Sequence, residues 1–307
     1  GEVFFPGTNK AQVNSYQNIY KKKNGEIPEK APQQIPPEKV EEVDVNLLQT
    51  MLRSVKMDES AFVIDKIERN IHNEAYVKKL LKSPKFLNSL LNASDSCESS
   101  EVAQKIIKIF TGVLRVQKNL NEVYTSKVIR LFVKFGSTEM TEILDFIDTI
   151  SPNELAKLKL NGNQFNKLSC FLKHSDVSRR VTATNILIKI IENKAYEEVD
   201  FLSANLREVI SNIQSSASSM PDLLLASLKV VLLLIKFKEL QKIILDNNLF
   251  TSTISIFSYE QKSEEIYKLS LKILQIIIDT FKGQLTKDDM KTALLSLPLA
   301  SKTICAS

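Results

Sequence analysis

Residues that interrupt regular secondary structure are scarce in this sequence. The 307 residues include only 7 glycines and 9 prolines, and most of the prolines precede residue 40. Because glycine and proline are the strongest helix breakers, the rest of the chain favours long helices over turn-rich β architectures. Long hydrophobic runs are also missing, since the apolar stretch 223–237 contains Ser227 and Lys229 and is too short to span a bilayer. We therefore expect an all-α protein without membrane insertion.

Cysteine is sparse, and neither sign of charge dominates. The three cysteines, Cys97, Cys170 and Cys305, are odd in number and far apart, which is typical of free thiols in a reducing compartment. We therefore expect a cytoplasmic or nuclear protein. The 41 basic and 36 acidic residues are interspersed, with a formal net charge of +5. Such a balance permits an acidic partner but does not demand a nucleic acid.

The residues that catalysis requires are nearly absent. Proton transfer and nucleophilic attack need a base and a nucleophile within hydrogen-bonding reach. The histidines are His72 and His174, each at a predicted helix end, where a cation favours the helix dipole. Cys97 has no CxxC partner, and the paired carboxylates 264–265 and 288–289 lie at predicted helix starts, where acidic residues are common. The glycines are too scattered for a phosphate-binding loop. We expect no catalysis, metal, cofactor or small-molecule substrate.

The first 43 residues differ in composition from the rest of the chain. They contain the aromatic pair Phe4-Phe5, the basic cluster 21–23 and the proline-rich stretch 28–37. Such a segment favours extended or polyproline II backbone and cannot form a core of its own. It is either a linker or tail, or a linear recognition segment anchored by Phe4 and Phe5. In the second interpretation the anchor docks on the protein's own helical body or on a partner.

Helical periodicity begins at Asp44, after which apolar residues recur every three or four positions. We predict that residues 44–298 form one helical domain of about fifteen helices. The last predicted helix ends at Pro298 and covers the end of the domain, and residues 299–307 form a C-terminal tail.

Helix boundaries are marked by residues with known positional preferences. The dipeptide 151–152, Ser-Pro, predicts an N-cap followed by proline in the first turn, and Pro221 predicts the same arrangement later in the chain. Gly136 and Gly283 are placed where helices are expected to end. No stretch alternates apolar and polar residues for long enough to predict a strand.

A phenylalanine recurs in three similar segments. Phe86, Phe165 and Phe250 each follow apolar residues and a short polar turn and precede a second apolar run. Each segment is followed by a long amphipathic helix, and two further long helices lie between them. The five long helices begin near Val102, Met140, Val177, Leu223 and Ile266, which are 38, 37, 46 and 43 residues apart. Periods of this length are typical of armadillo or HEAT repeats.

On these segments the sequence resembles the armadillo/HEAT superfamily. Residues 80–91 are similar to the first two helices of an armadillo repeat, and residues 102–117 to its third helix. Residues 183–187 are similar to the small-x-Asn-x-Leu stretch of groove-lining armadillo helices, with Asn185 as the asparagine. The resemblance implies a right-handed α-α superhelix of about five repeats whose third helices line a concave groove. Since tryptophan is absent, an importin-like Trp–Asn ladder is not expected.

The candidate groove helices are rich in basic residues at their non-core positions, except for the acidic helix 139–150. Cations arranged in this way attract carboxylates or phosphates, and Asn185 has the amide needed to hydrogen-bond a peptide backbone. The predicted partner-binding residues are Lys105, Lys108, Arg115, Arg179, Arg180, Asn185, Lys189, Lys229, Lys236, Lys268 and Lys272, together with Phe4 and Phe5.

Two functions follow from this pattern. The first is a non-enzymatic adaptor or scaffold subunit whose basic concave surface binds an acidic or phosphorylated protein segment. The alternative is a co-chaperone of the Hsp70 nucleotide-exchange type, in which an armadillo-like body clamps a larger ATPase. Nucleic-acid binding is not favoured, because basic and aromatic residues do not interleave as a stacking platform requires.

Overall fold

The computed structural model describes residues 57–137, 139–259 and 263–281. It also describes the single positions Asn46, Thr50, Gly283, Leu285, Lys287, Lys291 and Leu295. The chain divides into two compact units, Gly1–Glu42 and Val43–Ser307, and every described residue belongs to the second. The predictions for residues 1–43, including Phe4 and Phe5, and for the tail 299–307 therefore lie outside the described residues.

Secondary structure in the described ranges is helical, as predicted from the shortage of glycine and proline. These ranges contain no strand, and their single β-type contact is an isolated parallel bridge between Leu160 and Tyr196. The fourteen α-helices found there are α1 (Met57–Asn70), α2 (Glu74–Leu81), α3 (Phe86–Asp95), α4 (Ser100–Gln117), α5 (Glu122–Phe135), α6 (Glu142–Thr149), α7 (Pro152–Leu158), α8 (Gly162–Leu172), α9 (Val177–Glu192), α10 (Ser203–Ser216), α11 (Pro221–Leu234), α12 (Gln241–Asp246), α13 (Leu249–Ser255) and α14 (Glu264–Phe281).

The helices pack in two rows, which we call row A and row B. Row A consists of α1, α4, α6, α9, α11 and α14, and each of these helices contacts the next one in that order. Row B consists of α2, α3, α5, α7, α8, α10, α12 and α13, and its contacts run from α3 through α5, α8 and α10 to α13. Between the rows, α4 packs on α5, α8 on α9, α10 on α11 and α13 on α14. The principal contacts therefore join helices that are close in sequence.

Several helix starts follow from local chemistry. Ser151 accepts a hydrogen bond from the backbone N–H of Glu154, and Pro152 is the first residue of α7, as predicted. Pro221 is also a first helical residue, but Met220 before it makes no side-chain cap. Proline is tolerated at this position because the N–H it lacks would have no partner within the helix.

The three recurring phenylalanines all lie in row B helices and belong to the hydrophobic core. Phe86 and Phe165 are fully buried in α3 and α8, and Phe250 is buried in α13. Neighbouring row B helices also meet through aromatic contact, since the rings of Phe132 in α5 and Phe171 in α8 stack with centroids 5.9 Å apart. All three phenylalanines are therefore core residues of row B helices.

The five predicted long helices all belong to row A. Their observed starts, Ser100, Glu142, Val177, Pro221 and Glu264, agree with the predicted ones to within two residues. One prediction was wrong in length, because α6 has only eight residues. Gly136 follows α5 directly, and Gly283 lies two residues beyond α14, so both mark helix ends as predicted.

Among the residues that the structure describes, four non-glycine residues adopt left-handed backbone, and three of them are lysines that follow helices. Lys118 ends α4 with φ of 61°, Lys159 ends α7 with φ of 43°, and Lys194 lies beyond α9 with φ of 51°. The Lys159 ammonium also donates to the Lys194 carbonyl oxygen at 2.9 Å, beside the Leu160–Tyr196 bridge. Left-handed backbone costs a residue with a Cβ about 1–2 kcal/mol, so these turns are locally strained.

Candidate protein-binding surface

The outward side of row A is the candidate site, and we call it the row A face. It is formed by the residues that each row A helix turns away from row B. Its principal side chains are Asp65, Glu68 and His72 in or just after α1; Glu101, Gln104, Lys105, Lys108 and Arg115 in α4; Glu142, Asp145 and Asp148 in α6; Val181, Asn185, Ile188 and Lys189 in α9; Leu225, Lys229 and Leu232 in α11; and Glu265, Lys268, Lys272 and Ile276 in α14.

The N-terminal half of the row A face, from α1 to α6, is joined by ion pairs between helices. The Lys105 ammonium lies 2.6 Å from an Asp65 carboxylate oxygen of α1 and 2.7 Å from Glu101 of its own helix. These hydrogen bonds raise the pKa of Lys105 above its ordinary value, with Asp65 as the largest cause and Glu101 next. Lys105 is therefore held charged and engaged with neighbouring acids.

A second set of contacts joins α1, α4 and α6. Lys108 lies 3.3 Å from Glu68 in α1 and 3.6 Å from Glu142 in α6. The Gln104 side chain donates to a Glu142 oxygen at 2.7 Å. Three successive row A helices are thus connected through the side chains of α4, and Lys108 is shared between two carboxylates.

A small cavity of about 140 Å³ opens in the same half of the face. Its lining includes His72, Arg115 and Asp145, and its floor is formed where α4 crosses the end of α1 at Gly112. A Cβ atom at Gly112 would lie 2.2 Å from Ile71 Cγ1 and 3.1 Å from the Ile71 carbonyl oxygen. Glycine is therefore required for the close approach of these helices. Arg115 is exposed, and within the described part of the chain its side chain makes no ion pair.

Arg179 and Arg180 face different surroundings although they are adjacent. Arg180 is directed toward row B, where its Nη1 donates to the Asn212 side-chain oxygen at 3.2 Å and its Nη2 contacts Met220 Sδ at 3.6 Å. Arg179 remains at the surface, 3.0 Å from His174 Nε2 and 3.8 Å from Asp176. Arg180 thus joins α9 to Asn212 of α10 and lies off the row A face.

Lys189 hydrogen-bonds the C-terminal end of α6. Its ammonium donates to the backbone carbonyl oxygen of Ile147 at 3.2 Å and to that of Asp148. Carbonyls in the last turn of a helix have no partner within the helix, so the lysine satisfies them. Burial lowers the pKa of Lys189 below its ordinary value, and the nearby Asp148 opposes that shift. Lys189 therefore stabilises the contact between α6 and α9.

The C-terminal half of the row A face, from α9 to α14, is more open. Lys229 lies 2.9 Å from Glu265, and Lys268 lies 2.6 Å from Glu264, but all four side chains are well exposed. The side chains of Asn185 and Lys272, and that of Lys236 just beyond α11, are exposed and make no hydrogen bond or ion pair in the described ranges. Between these polar groups lie half-buried aliphatic residues: Val181, Ile188, Leu225, Leu232 and Ile276.

Four polar residues occupy the same position in four row A helices. Lys108, Asn185, Lys229 and Lys272 are each the ninth residue of their helix. The last three belong to consecutive row A helices, and Lys229 is paired with Glu265, the second residue of α14.

Most of the predicted groove residues lie on the row A face, but Arg179 is beside His174 at the start of α9 and Arg180 contacts α10, and the face has mixed charge. The cations of α4, α9, α11 and α14 predicted a basic surface, but the acids Asp65 and Glu68 of α1 pair with lysines of α4. The face predicted to be basic, apart from the acidic helix 139–150, therefore has lysines that are largely matched by neighbouring carboxylates. The missed signal was the acidic pair on the helical face of α1, four and seven residues before His72.

The described residues contain neither a metal-binding cluster nor a membrane-spanning helix. In the ranges that the structure describes, no group of three His, Cys, Asp or Glu side chains lies close enough to hold a metal ion. Among the same residues, no helix is both long and apolar enough to cross a lipid bilayer.

Comparison with known proteins gives similarity of fold alone. Two crystal structures of engineered proteins from the Northeast Structural Genomics Consortium resemble the chain, each at 12% sequence identity. For one, the TM-score is 0.50 and the similarity covers 78% of this chain and 98% of that chain. For the other, the TM-score is 0.49 and the coverage is 78% and 100%. No protein-family model and no curated protein matches the chain.

Proposed function

We propose that the protein is a non-enzymatic, armadillo/HEAT-like adaptor that binds a segment of another protein on its row A face. The observation that carries the proposal is the order of helix contacts, in which each row A helix packs on the next. In a solenoid each repeat contacts only its neighbours, and the result is an extended surface suited to a linear ligand. The right-handed superhelix of about five repeats belongs to this proposal.

The C-terminal half of the face is the better binding region. Its aliphatic side chains, among them Leu225 and Leu232, are half-buried and still accessible, and its exposed polar side chains include Asn185 and Lys272, which have no partner in the described ranges. Binding energy at interfaces comes mainly from apolar groups that become fully buried, surrounded by polar contacts that exclude water. The N-terminal half offers mainly charges that already have partners.

The charge of the partner follows from the same side chains. Lys229, Lys236 and Lys272 would meet carboxylates or phosphates, so the acidic character predicted for the partner is retained for this half of the face. Because the lysines are exposed, their effect is mainly on association rate and selectivity, and it weakens with salt. The co-chaperone function stays a prediction from the sequence resemblance.

The experiment is affinity capture with the full chain, followed by quantitative binding of the captured partner to variants. Leu225→Glu and Leu232→Glu place a charge in the aliphatic part of the row A face and should weaken binding at least about tenfold, about 1.4 kcal/mol. The matched control is Ser211→Glu, at an exposed position of α10 in row B. Equal binding by the wild type and both row A variants would refute the proposal, provided that all variants keep the wild-type melting temperature.

A further inference from the structure

The contact between α6 and α9 is the smallest of the contacts between successive row A helices. The reason is the length of α6, which has eight residues, whereas the other row A helices have 14 to 18. A shorter helix offers less surface to its neighbour, so less apolar area is buried at this step of the row. The two halves of the row A face therefore meet where row A is most weakly packed, which we call the α6–α9 junction.

Cations from the C-terminal side reach across the α6–α9 junction. Lys189 of α9 donates to the carbonyl oxygen of Ile147, at 3.2 Å, and to that of Asp148. Lys167 of α8 donates to the carbonyl oxygen of Gly136, the residue that ends α5, at 2.9 Å. These charge-assisted hydrogen bonds satisfy carbonyls at helix ends that have no partner within the helix. Two lysines thus hold together a junction at which the row A helices pack least.

The backbone crosses the same junction at Lys159. Before it, α7 is bound to the N-terminal side, because the Glu154 side chain accepts a hydrogen bond from the Leu120 backbone N–H at 2.9 Å. After it, Leu160 is bound to the C-terminal side through its bridge to Tyr196. Lys159 is the residue that ends α7, and its backbone is left-handed, with φ of 43°. Hinges form at such residues at the ends of elements, which absorb the change in φ and ψ.

An aromatic contact joins the two sides on row B. The rings of Phe132 in α5 and Phe171 in α8 stack with centroids 5.9 Å apart, and both residues are buried. Apolar contact is non-directional, whereas a hydrogen bond weakens steeply outside a narrow range of distance and angle. A rotation about the Phe132–Phe171 contact would therefore be resisted mainly by the hydrogen bonds of Lys189 on the row A side.

We infer that the α6–α9 junction is a hinge between the two halves of the row A face, with Phe132 and Phe171 as its pivot and Lys189 as the residue that holds it closed. In the observed, closed arrangement Lys189 keeps α9 against the end of α6. When its hydrogen bonds break, the two halves rotate apart and the row A face opens. The inference does not rest on the proposed function, because it concerns the motion of helices and not the binding of a partner.

The test measures distances between two spin labels on the full chain by electron paramagnetic resonance. Labels are attached to cysteines introduced at exposed positions, after the cysteines other than the buried Cys97 have been replaced by serine. The junction pair is Arg115→Cys with Lys272→Cys, and the reference pair, within the C-terminal half, is Asn185→Cys with Lys272→Cys. A rotation of about 15° acting over two helix spacings, about 20 Å, displaces a label by about 5 Å.

Three lysine variants separate the hinge from a general loss of stability. Lys189→Met should lengthen or broaden the junction distance by about 5 Å and leave the reference distance unchanged. Lys189→Arg keeps a charged donor and should resemble the wild type. The matched control is Lys134→Met, which removes the same kind of hydrogen bond, to the Cys97 carbonyl oxygen at 2.9 Å, away from the junction. It should change neither distance.

The inference is overturned if Lys189→Met leaves the junction distance unchanged, or if it changes the junction and reference distances equally. If Lys189→Met does not fold, the wild type in urea below its unfolding transition replaces it. The most weakly packed part of a protein opens first, so the junction distance should change at lower urea than the reference distance. Simultaneous changes of the two distances would overturn the inference.

Discussion

The two halves of the row A face use similar residues for different purposes. In the N-terminal half, Lys105 and Lys108 connect α4 to acids of α1 and α6 at distances of 2.6 to 3.6 Å. In the C-terminal half, Lys229 makes one exposed pair and Lys272 makes none in the described ranges, with aliphatic side chains between them. The number of lysines on a helix therefore does not measure the positive charge that is available to a binding partner, because some lysines are already paired with carboxylates of the same protein.

The largest loss of stability is expected from a change at Gly112, where α4 approaches the end of α1. Gly112→Ala places a Cβ 2.2 Å from Ile71 Cγ1 and close to the Ile71 carbonyl oxygen. Overpacking of this kind typically costs about 1–3 kcal/mol, so the free energy of unfolding should fall by that amount in urea denaturation. Ile71→Ala combined with Gly112→Ala should recover part of the loss relative to the sum of the single changes. Simple additivity would show that the Ile71 side chain is not the obstacle.

The second prediction compares the lysines of the two halves directly. Lys105→Met should lower the free energy of unfolding by about 1 kcal/mol, because it leaves Asp65 and Glu101 close together without their shared cation. Lys229→Met should change it by less than about 0.5 kcal/mol, as for an exposed ion pair. Equal losses, measured by urea denaturation at one salt concentration, would contradict the contrast between the halves.

The pH dependence of the free energy of unfolding also tests the role of Lys105. The pKa values of Lys105 and Lys189 are shifted in opposite directions. The pKa of Lys105 is raised by Asp65 and Glu101, so its stabilising effect is complete below the unfolded-state pKa and is lost as pH rises through the folded-state pKa. The pKa of Lys189 is lowered by burial, so its titration adds stability as pH rises from the folded-state toward the unfolded-state pKa. The wild type should therefore differ less from Lys105→Met at strongly alkaline pH than at pH 7.

The smallest change in stability is expected at the turn after α9. Lys194 has a φ of 51°, a conformation that glycine adopts without strain. Lys194→Gly should raise the free energy of unfolding by about 0.5–1 kcal/mol, since relief of strain exceeds the added entropy of the unfolded chain. Glu197→Gly, at an exposed residue of the following segment, is a control that should not stabilise. A lower melting temperature for Lys194→Gly would show that the turn is not strained.

Most of the helices could be predicted from the sequence because their signals are local. The Ser-Pro start of α7, the glycine after α5 and the recurring Phe86, Phe165 and Phe250 depend on residues a few positions apart. The mixed charge of the row A face could not be predicted in this way. Asp65 meets Lys105 across forty positions of sequence, and Arg180 turns inward because Asn212 of α10 accepts its hydrogen bond. Such pairs follow only from the order in which helices pack.

The central claim is that partner binding depends on the C-terminal half of the row A face and not on the cations of its N-terminal half. The most direct measurement is the affinity of the captured partner for Leu232→Glu and for Lys108→Met, with both variants confirmed to be folded. We predict at least a tenfold loss for Leu232→Glu and less than a twofold change for Lys108→Met. A large loss for Lys108→Met with unchanged binding by Leu232→Glu would contradict the claim.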